Sequence, residues 1–292
     1  MQKGLGSKDE TDMMSFTKEN GADMKGWRIG LLGIGAIGRD VVQYLASKRR
    51  DSEFIVLRRS ADAVDLPHVR QVRTIEDLLA ARPDIVVEAA GHHAIESCVP
   101  FLLRNGVSVV AASVGSLMQE TGRGVMSDVL VAVAREGHAR LLLPAGAIGG
   151  LDYIASVSRL PDLRIVYTSR KPQEAWLDEL FRRQIDPACL KSELTLFEGS
   201  VAEAAALYPR NLNVAATLAL GCGRPDIVSV RVVVDPVARG NTHEIVCESS
   251  AGHARFEFVN APAPSNPKTS MVTALSLAHC VEDFLAERTE AI

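Results

Sequence analysis

The sequence predicts an α/β protein in two parts: a doubly wound parallel sheet first, then an α+β portion on a mainly antiparallel sheet. Three observations carry this. From Trp27 onward, short apolar runs alternate with segments of helical period. After about Ala147 the runs lengthen and alternate with polar residues. At 292 residues the chain is long enough to bury two ordinary cores. Runs with little alternation suit strands covered on both faces, as in a parallel sheet, whereas alternation suits strands with one covered face.

Taken in order, residues 1–25 are polar and rich in Met, Lys and Gly. They lack the apolar stretch and small-residue cleavage site of a secretory signal, so they read as a flexible tail. Ile29, Leu31 and Leu32 form a first strand, a glycine loop follows, and Ile37, Val41, Val42 and Leu45 recur at helical spacing. Further parallel strands fall at 54–57, 85–87, 107–111 and 141–143. Thr74, three residues before Asp77, opens a helix in a capping-box-like arrangement. Right-handed crossovers then give the doubly wound topology.

Beyond a helix near 151–158, the stretches 227–234, 243–248 and 254–259 read as a meander of antiparallel strands, with turns at Arg239-Gly240-Asn241 and Ala251-Gly252. An open edge or face of that sheet offers a dimer contact. The last element carries Asn266 as an N-cap and Pro267 as a first helical residue, then Met271, Leu275, Leu277, Ala278, Val281 and Leu285 at helical spacing. The expected division is a tail at 1–25, a first domain at 26–147 joined by a C-terminal helix at 265–292, and a second domain at 148–264.

Composition narrows the partners. A formal charge of -4 gives no general attraction to nucleic acid or to an anionic membrane, which leaves a small molecule. Five scattered cysteines without CxxC spacing suggest neither a disulfide framework nor a zinc site, and they fit a reducing cytoplasm. No run of apolar residues is long enough for a membrane span.

Gly33-Ile34-Gly35-Ala36-Ile37-Gly38 follows a strand and opens a helix, the context of a dinucleotide-binding Rossmann fingerprint. Gly33 permits the tight turn, Gly35 lets backbone approach a pyrophosphate, and Gly38 allows close helix–sheet packing. The helix start at Ala36 and Ile37 offers free N–H groups to the phosphates. Its bland alternative is a glycine turn used only for packing. Where an acid would bind the adenosine ribose, the sequence reads Leu57-Arg58-Arg59-Ser60. Arg58 and Arg59 can hold a 2′-phosphate, so NADP is expected to be accepted alongside NAD, unless both arginines are simply solvated.

Ala90 and Gly91, at the carboxyl end of a core strand, permit close approach to the cofactor, and His92 and His93 read as loop histidines beside it. Pro144-Ala145-Gly146-Ala147 joins the domains and can lie under a nicotinamide ring or act as a hinge. Asn211-Leu212-Asn213 starts an apolar helix. His243 stands in a strand, where a lone histidine is more often structural than catalytic. Arg170 and Lys171, at a strand end, can bind a carboxylate or form a solvated turn.

Together the glycine loop, Val87-Glu88-Ala89-Ala90-Gly91, Pro144-Ala145-Gly146-Ala147, Thr168-Ser169-Arg170-Lys171-Pro172, Asn213-Val214-Ala215-Ala216 and Asn266-Pro267-Lys268-Thr269-Ser270 resemble the L-aspartate dehydrogenase family from Trp27 to the C-terminus. Six motifs in one order make the resemblance specific. It implies reversible NAD(P)-dependent oxidative deamination of L-aspartate to iminoaspartate, which water converts to oxaloacetate and ammonia. It also implies a homodimer, an active-site histidine at His243 and cofactor contacts from Ala145 and Asn213, so the second domain is expected to be catalytic and dimerising. Because the substrate nitrogen must lose a proton before hydride leaves, His243 is expected to act as acid/base, with the dinucleotide as hydride carrier and no metal. Arg58 and Arg59 depart from the family's frequent NAD preference.

The two substrate carboxylates require cationic or amide donors, for which Arg170, Lys171, Lys268, Thr269 and Ser270 are the candidates. Two rivals remain: homoserine dehydrogenase, and a dinucleotide sensor without chemistry. A dihydrodipicolinate reductase would carry a Lys after His92-His93, where Glu96 and Ser97 stand instead. A phosphorylating aldehyde dehydrogenase would carry a nucleophilic Cys where Ala145-Gly146-Ala147 stands.

Overall fold

In the computed structural model, β1 (Arg28–Leu32) is buried from its second residue on, and the chain then turns through Gly33 into α1 (Ala36–Lys48). The structure describes residues 26–58, 64–66, 68–208, 213–238 and 240–290. The tail, Arg59, Ser60, Asn211, Leu212 and Arg239 lie outside the described residues, as does the side chain of Lys268.

The first half continues with β2 (Glu53–Leu57), β3 (Val69–Val72), α2 (Ile75–Ala80), β4 (Ile85–Glu88), α3 (His92–Ser97), α4 (Val99–Arg104) and β5 (Val109–Ala111). A small hairpin of β6 (Glu120–Thr121) and β7 (Gly124–Val125), then α5 (Met126–Glu136) and β8 (Leu141–Leu142), complete it. The six-stranded sheet runs β3-β2-β1-β4-β5-β8 with every pairing parallel. Strand order reverses at β1 and β4, and ligands of such sheets sit in the crevice outside the carboxyl ends at that point.

Two elements here were not expected. β3 carries only Val69 and Val72 as apolar residues, so periodicity did not reveal it. His92 and His93 are not loop residues; they open α3, entered through Gly91 at a φ of 101°. Thr74 caps α2 as expected, its side chain accepting from the Asp77 N–H at 3.1 Å.

The second half holds α6 (Leu151–Val157), β9 (Arg164–Lys171), α7 (Leu177–Arg182), β10 (Leu194–Ser200), α8 (Val201–Leu207), α9 (Asn213–Cys222), β11 (Val228–Val234), β12 (Asn241–Ser249) and β13 (Gly252–Asn260). Its sheet runs β10-β11-β9-β12-β13, antiparallel except for β11 with β9. The expected meander is therefore corrected, because β9 separates β11 from β12. The most buried strands, β9, β11 and β12, occupy the middle, and only β12 and β13 pair as sequence neighbours through a tight turn at Ser250 and Ala251. Asn241 and Gly252 belong to strands, not to turns.

The last helix also begins later than its cap signal suggests. Asn266–Ser270 is β15, paired with β14 (Pro262–Ala263), and α10 spans Met271–Glu290. Asn266 is not an N-cap: its side-chain amide donates to Thr269 Oγ1 at 3.1 Å inside this small ribbon. α10 places Leu277, Val281 and Leu285 in one apolar cluster with Val41, Val42 and Leu45 of α1, against the parallel sheet. Each such fully buried side chain contributes about 1.5–3 kcal/mol. A separate cluster underlies the second sheet, centred on Tyr167, Val230 and Ile245. Among the described residues no helix is long and apolar enough to cross a membrane.

Candidate active site

The turn after β1 is shaped by glycine at two kinds of position. Gly33 has a φ of 84°, and a Cβ there would fall 2.8 Å from the Ala90 Cβ. Gly38 in α1 would bring a Cβ to 2.8 Å from the Gly33 carbonyl oxygen, so the first turn of the helix rests directly on the loop. Gly35 differs: it precedes α1, and a Cβ there would meet nothing within 4 Å. Backbone is thus bared toward open space where the first amides of a 13-residue helix lack intrahelical acceptors.

Facing this loop across the strand-order reversal, Glu88 closes β4 with a fully buried carboxylate. Its Oε1 accepts from the Ala90 and Gly91 N–H groups, both at 2.8 Å, and from Ser113 Oγ at 3.0 Å. Oε2 accepts from the Ser113 N–H at 3.0 Å. One side chain therefore holds the loops after β4 and β5 together, and Ala90 and Gly91 are fixed beside the glycine turn.

Two cavities flank that turn. The outer one, of about 510 Å³, is lined by Gly33, Leu57, Arg58, Arg73, Ala90 and His93 among others. No carboxylate lines it among the described residues. The Arg58 N–H donates to the Val72 carbonyl at 3.1 Å, which sets Arg73 beside Arg58. Arg73 escaped the sequence reading because its placement depends on β3.

The inner cavity, of about 170 Å³, lies between the two sheets and includes Ile37, Ala145, Lys171, Asn213, His243 and Ser270 in its wall. Strand register explains how His243 and Lys171 meet. His243 of β12 stands opposite Ser169 of β9, and Tyr167, Ser169 and Lys171 share one face of β9. His243 is 5% exposed, and its Nδ1 lies 2.8 Å from the Tyr167 hydroxyl. Burial, and then the neighbouring Lys171 charge, pull its pKa down from 6.5 to about 4, so the imidazole is neutral at physiological pH. Burial pushes the Tyr167 phenol well above its ordinary value.

Asn241, two residues before His243 on the same strand, also lines this cavity and is buried. Sequence reasoning placed it in a turn and missed it; its period-2 spacing from His243 was the available signal. Asn213 opens α9 and accepts from the Gly115 N–H at 2.9 Å through Oδ1, tying the helix to the loop after β5. At the domain junction the Gly146 N–H donates to Ser276 of α10 at 2.9 Å, and Asn260 donates to the Ala147 carbonyl at 2.8 Å.

The carboxylate-binding candidates separate. Lys171, Thr269 and Ser270 line the inner cavity, the last two as the end of β15 instead of a helix start. Arg170 does not belong with them. It alternates to the opposite face of β9, where its guanidinium meets Glu193, with Asp235 and Glu244 each 3.9 Å away. The contact with Glu193 raises the Arg170 pKa and lowers that of the carboxyl. Arg170 is thus engaged with acids on the far face of the sheet and does not line the inner cavity.

Comparison with known proteins adds to this geometry. Residues 152–284 match the family model for the C-terminal part of aspartate dehydrogenase, and residues 33–144 match that for the NAD-binding domain of homoserine dehydrogenase. L-aspartate dehydrogenase 2 of Bordetella bronchiseptica is 44% identical over 268 residues, covering 90% of this chain and 98% of that protein. L-aspartate dehydrogenase of Ruegeria pomeroyi is 34% identical over 250 residues, covering 86% of this chain and 90% of that one. Among solved structures, aspartate dehydrogenase from Thermotoga maritima superposes with a TM-score of 0.66 at 24% identity, covering 89% of this chain and 96% of that chain. This last likeness speaks to the fold alone.

Proposed function

The chain belongs to the L-aspartate dehydrogenase family, and from that premise we propose that it carries out the reversible NAD(P)-dependent oxidative deamination of L-aspartate in the cleft between its two sheets. The observation that carries this reading is a buried, neutral His243 beside Lys171, in a cavity whose wall reaches Ile37 in the first turn of α1. A dinucleotide fits the residues present. Open space over Gly35 and Gly91 admits a pyrophosphate, the α1 amides and the Ala90–Gly91 loop hold it, and Ile37, Ala145 and Asn213 continue the path into the inner cavity. Arg58 and Arg73 are the cations at the adenosine end.

When bound, the dinucleotide supplies hydride transfer at the substrate Cα. The chain's own residues manage protons and charge. The substrate nitrogen must be neutral before its lone pair can assist, so a base is required at that atom, and His243 is the candidate. In the empty cleft Lys171 opposes imidazolium formation; an aspartate dianion beside Lys171 cancels that opposition and makes the imidazole more basic when it is needed. Lys171, Thr269 and Ser270 hold the carboxylates, with Asn241 placed to hydrogen-bond the substrate. The same imidazole then activates the water that attacks the imine carbon, releasing ammonia and oxaloacetate.

We read residues 26–147 with the C-terminal helix as the cofactor-binding domain and 148–264 as the catalytic one. A homodimer is supported by the long β13, which has no strand on its outer side among the described residues. Five free cysteines suit a reducing cytoplasm.

Consumption of reduced nicotinamide in the presence of oxaloacetate and ammonium tests the activity; tight dinucleotide binding without consumption would favour a sensor instead. His243→Ala is expected to lower turnover by about 100-fold or more while leaving dinucleotide affinity near wild type. Unchanged turnover would remove His243 from the chemistry.

A further inference from the structure

We propose that Glu88 is a positioning residue that serves both cavities at once, fixing one wall at the adenosine end of the dinucleotide through Oε1 and one at the nicotinamide end through Oε2. This rests on the proposed path of the dinucleotide between the cavities, and adds the side chain that holds their walls in register.

Glu88 ends β4, the strand paired with β1 at the strand-order reversal, and is 0% exposed. Away from bulk water, its oxygens and the donors aimed at them depend on one another. Those donors are divided unequally. Oε1 takes both N–H groups of the loop after β4, those of Ala90 and Gly91, together with Ser113 Oγ. Oε2 takes the Ser113 N–H alone among the described residues. The three backbone groups can only donate, so an acceptor is required at both positions.

The backbone contacts on the two oxygens control different walls. Ala90 lines the outer cavity with Gly33, and Gly91 turns the chain into α3 at a φ of 101°. Ser113 leads instead into a short 3-10 helix at Val114–Met118, and its carbonyl accepts from the Ser116 N–H at 3.1 Å and from Ser116 Oγ at 2.7 Å. From this helix the Gly115 N–H donates to Asn213. Ala112, Val114 and Asn213 all line the inner cavity. The Ser113 contact is thus carried to the inner wall, whereas the Ala90 and Gly91 contacts stay at the outer one.

Glu88→Gln separates the two. The side chain keeps its shape, but an amide nitrogen accepts nothing, so one position loses its acceptor. Nitrogen at the Oε1 position would strand two backbone donors, Ala90 and Gly91; nitrogen at the Oε2 position strands only that of Ser113. A buried donor without a partner is costly, so the amide turns its nitrogen toward Ser113. The outer wall then keeps both its bonds, and the inner one keeps only that of the Ser113 hydroxyl.

Hydrogen exchange and binding read this division. In ligand-free Glu88→Gln, amide exchange is expected to quicken over 112–119 and to stay at the wild-type rate over 89–94. ADP, which carries the adenosine and both phosphates without nicotinamide, is expected to bind within about twofold of wild type, while reduced dinucleotide binds about tenfold more weakly and kcat falls about tenfold. General loosening would speed exchange in both segments and weaken ADP as much as dinucleotide; that result overturns the proposal, as does a variant that matches wild type throughout. If Glu88→Gln does not fold, Ser113→Ala decides, because it removes one bond of four: the same pattern at about threefold is expected, and equal effects on ADP and dinucleotide, or none, overturn the proposal. The expected exchange pattern in a protein that neither binds dinucleotide nor oxidises aspartate would count against the proposed reaction and not against the role of Glu88 in holding the two loops.

Discussion

Acid should destabilise this protein through His243, by an amount the structure sets. The imidazole is held near a pKa of about 4 in the folded chain against 6.5 when free. Its folded pKa is depressed, so between these values the unfolded chain binds the proton that the folded chain refuses. The stability associated with a neutral His243 is therefore complete above pH 6.5 and is lost as pH falls toward about 4. At about 1.4 kcal/mol per unit, the whole window corresponds to about 3 kcal/mol. Urea unfolding of the wild type and of His243→Asn at a series of pH values isolates this contribution, since other titrating groups cancel in the difference. The difference in unfolding free energy should favour the wild type progressively less as pH falls, by about 3 kcal/mol across the window. A difference that stays constant with pH would refute the claim that burial and Lys171 suppress protonation.

Two further predictions concern charge at either end of the cleft. Arg73→Ala and Arg58→Ala should each weaken NADPH binding by about tenfold or more, the scale of one charge-assisted contact, and leave NADH binding nearly unchanged; calorimetric titration with both dinucleotides checks this, and equal losses for the two would remove the arginines from 2′-phosphate recognition. Lys171→Met should raise KM for aspartate by about tenfold or more, whereas Arg170→Ala, on the far face of β9, should leave KM near wild type; steady-state kinetics that reverse this order would contradict the strand register.

What could be read from the sequence was what neighbouring residues decide. The β1 turn and α1 are specified within a dozen positions, because each glycine answers a local demand: a positive φ at 33, open backbone at 35, close packing at 38. The cap of α2 by Thr74 is local in the same sense. Local signals also misled where a partner outbid them. Asn266 and Pro267 form a sound helix start in isolation, yet pairing with 262–263 made them a strand and moved the helix start to Met271. β3 and Arg73 were illegible for the opposite reason: two valines in four residues give no pattern, and the strand exists because β2 offers an edge.

The proposed catalytic cleft lies at the far end of that scale. Arg170 and Lys171 are adjacent, equally cationic and equally placed at a strand end, and sequence alone cannot say which faces His243. A one-residue change of register would exchange them. The register is fixed by Tyr167, Ile165 and Ile245, whose side chains must enter the core beneath the sheet, and that requirement sends Lys171 to the cleft and Arg170 toward Glu193. His243 is decided in the same way, by a phenol 76 positions upstream and a lysine that the phenol's burial helps to aim. The proton step proposed for it would then depend on core packing: substitutions that loosen the cluster around Tyr167 should disturb that step before they disturb the dinucleotide binding proposed at the glycine turn, which rests on local backbone.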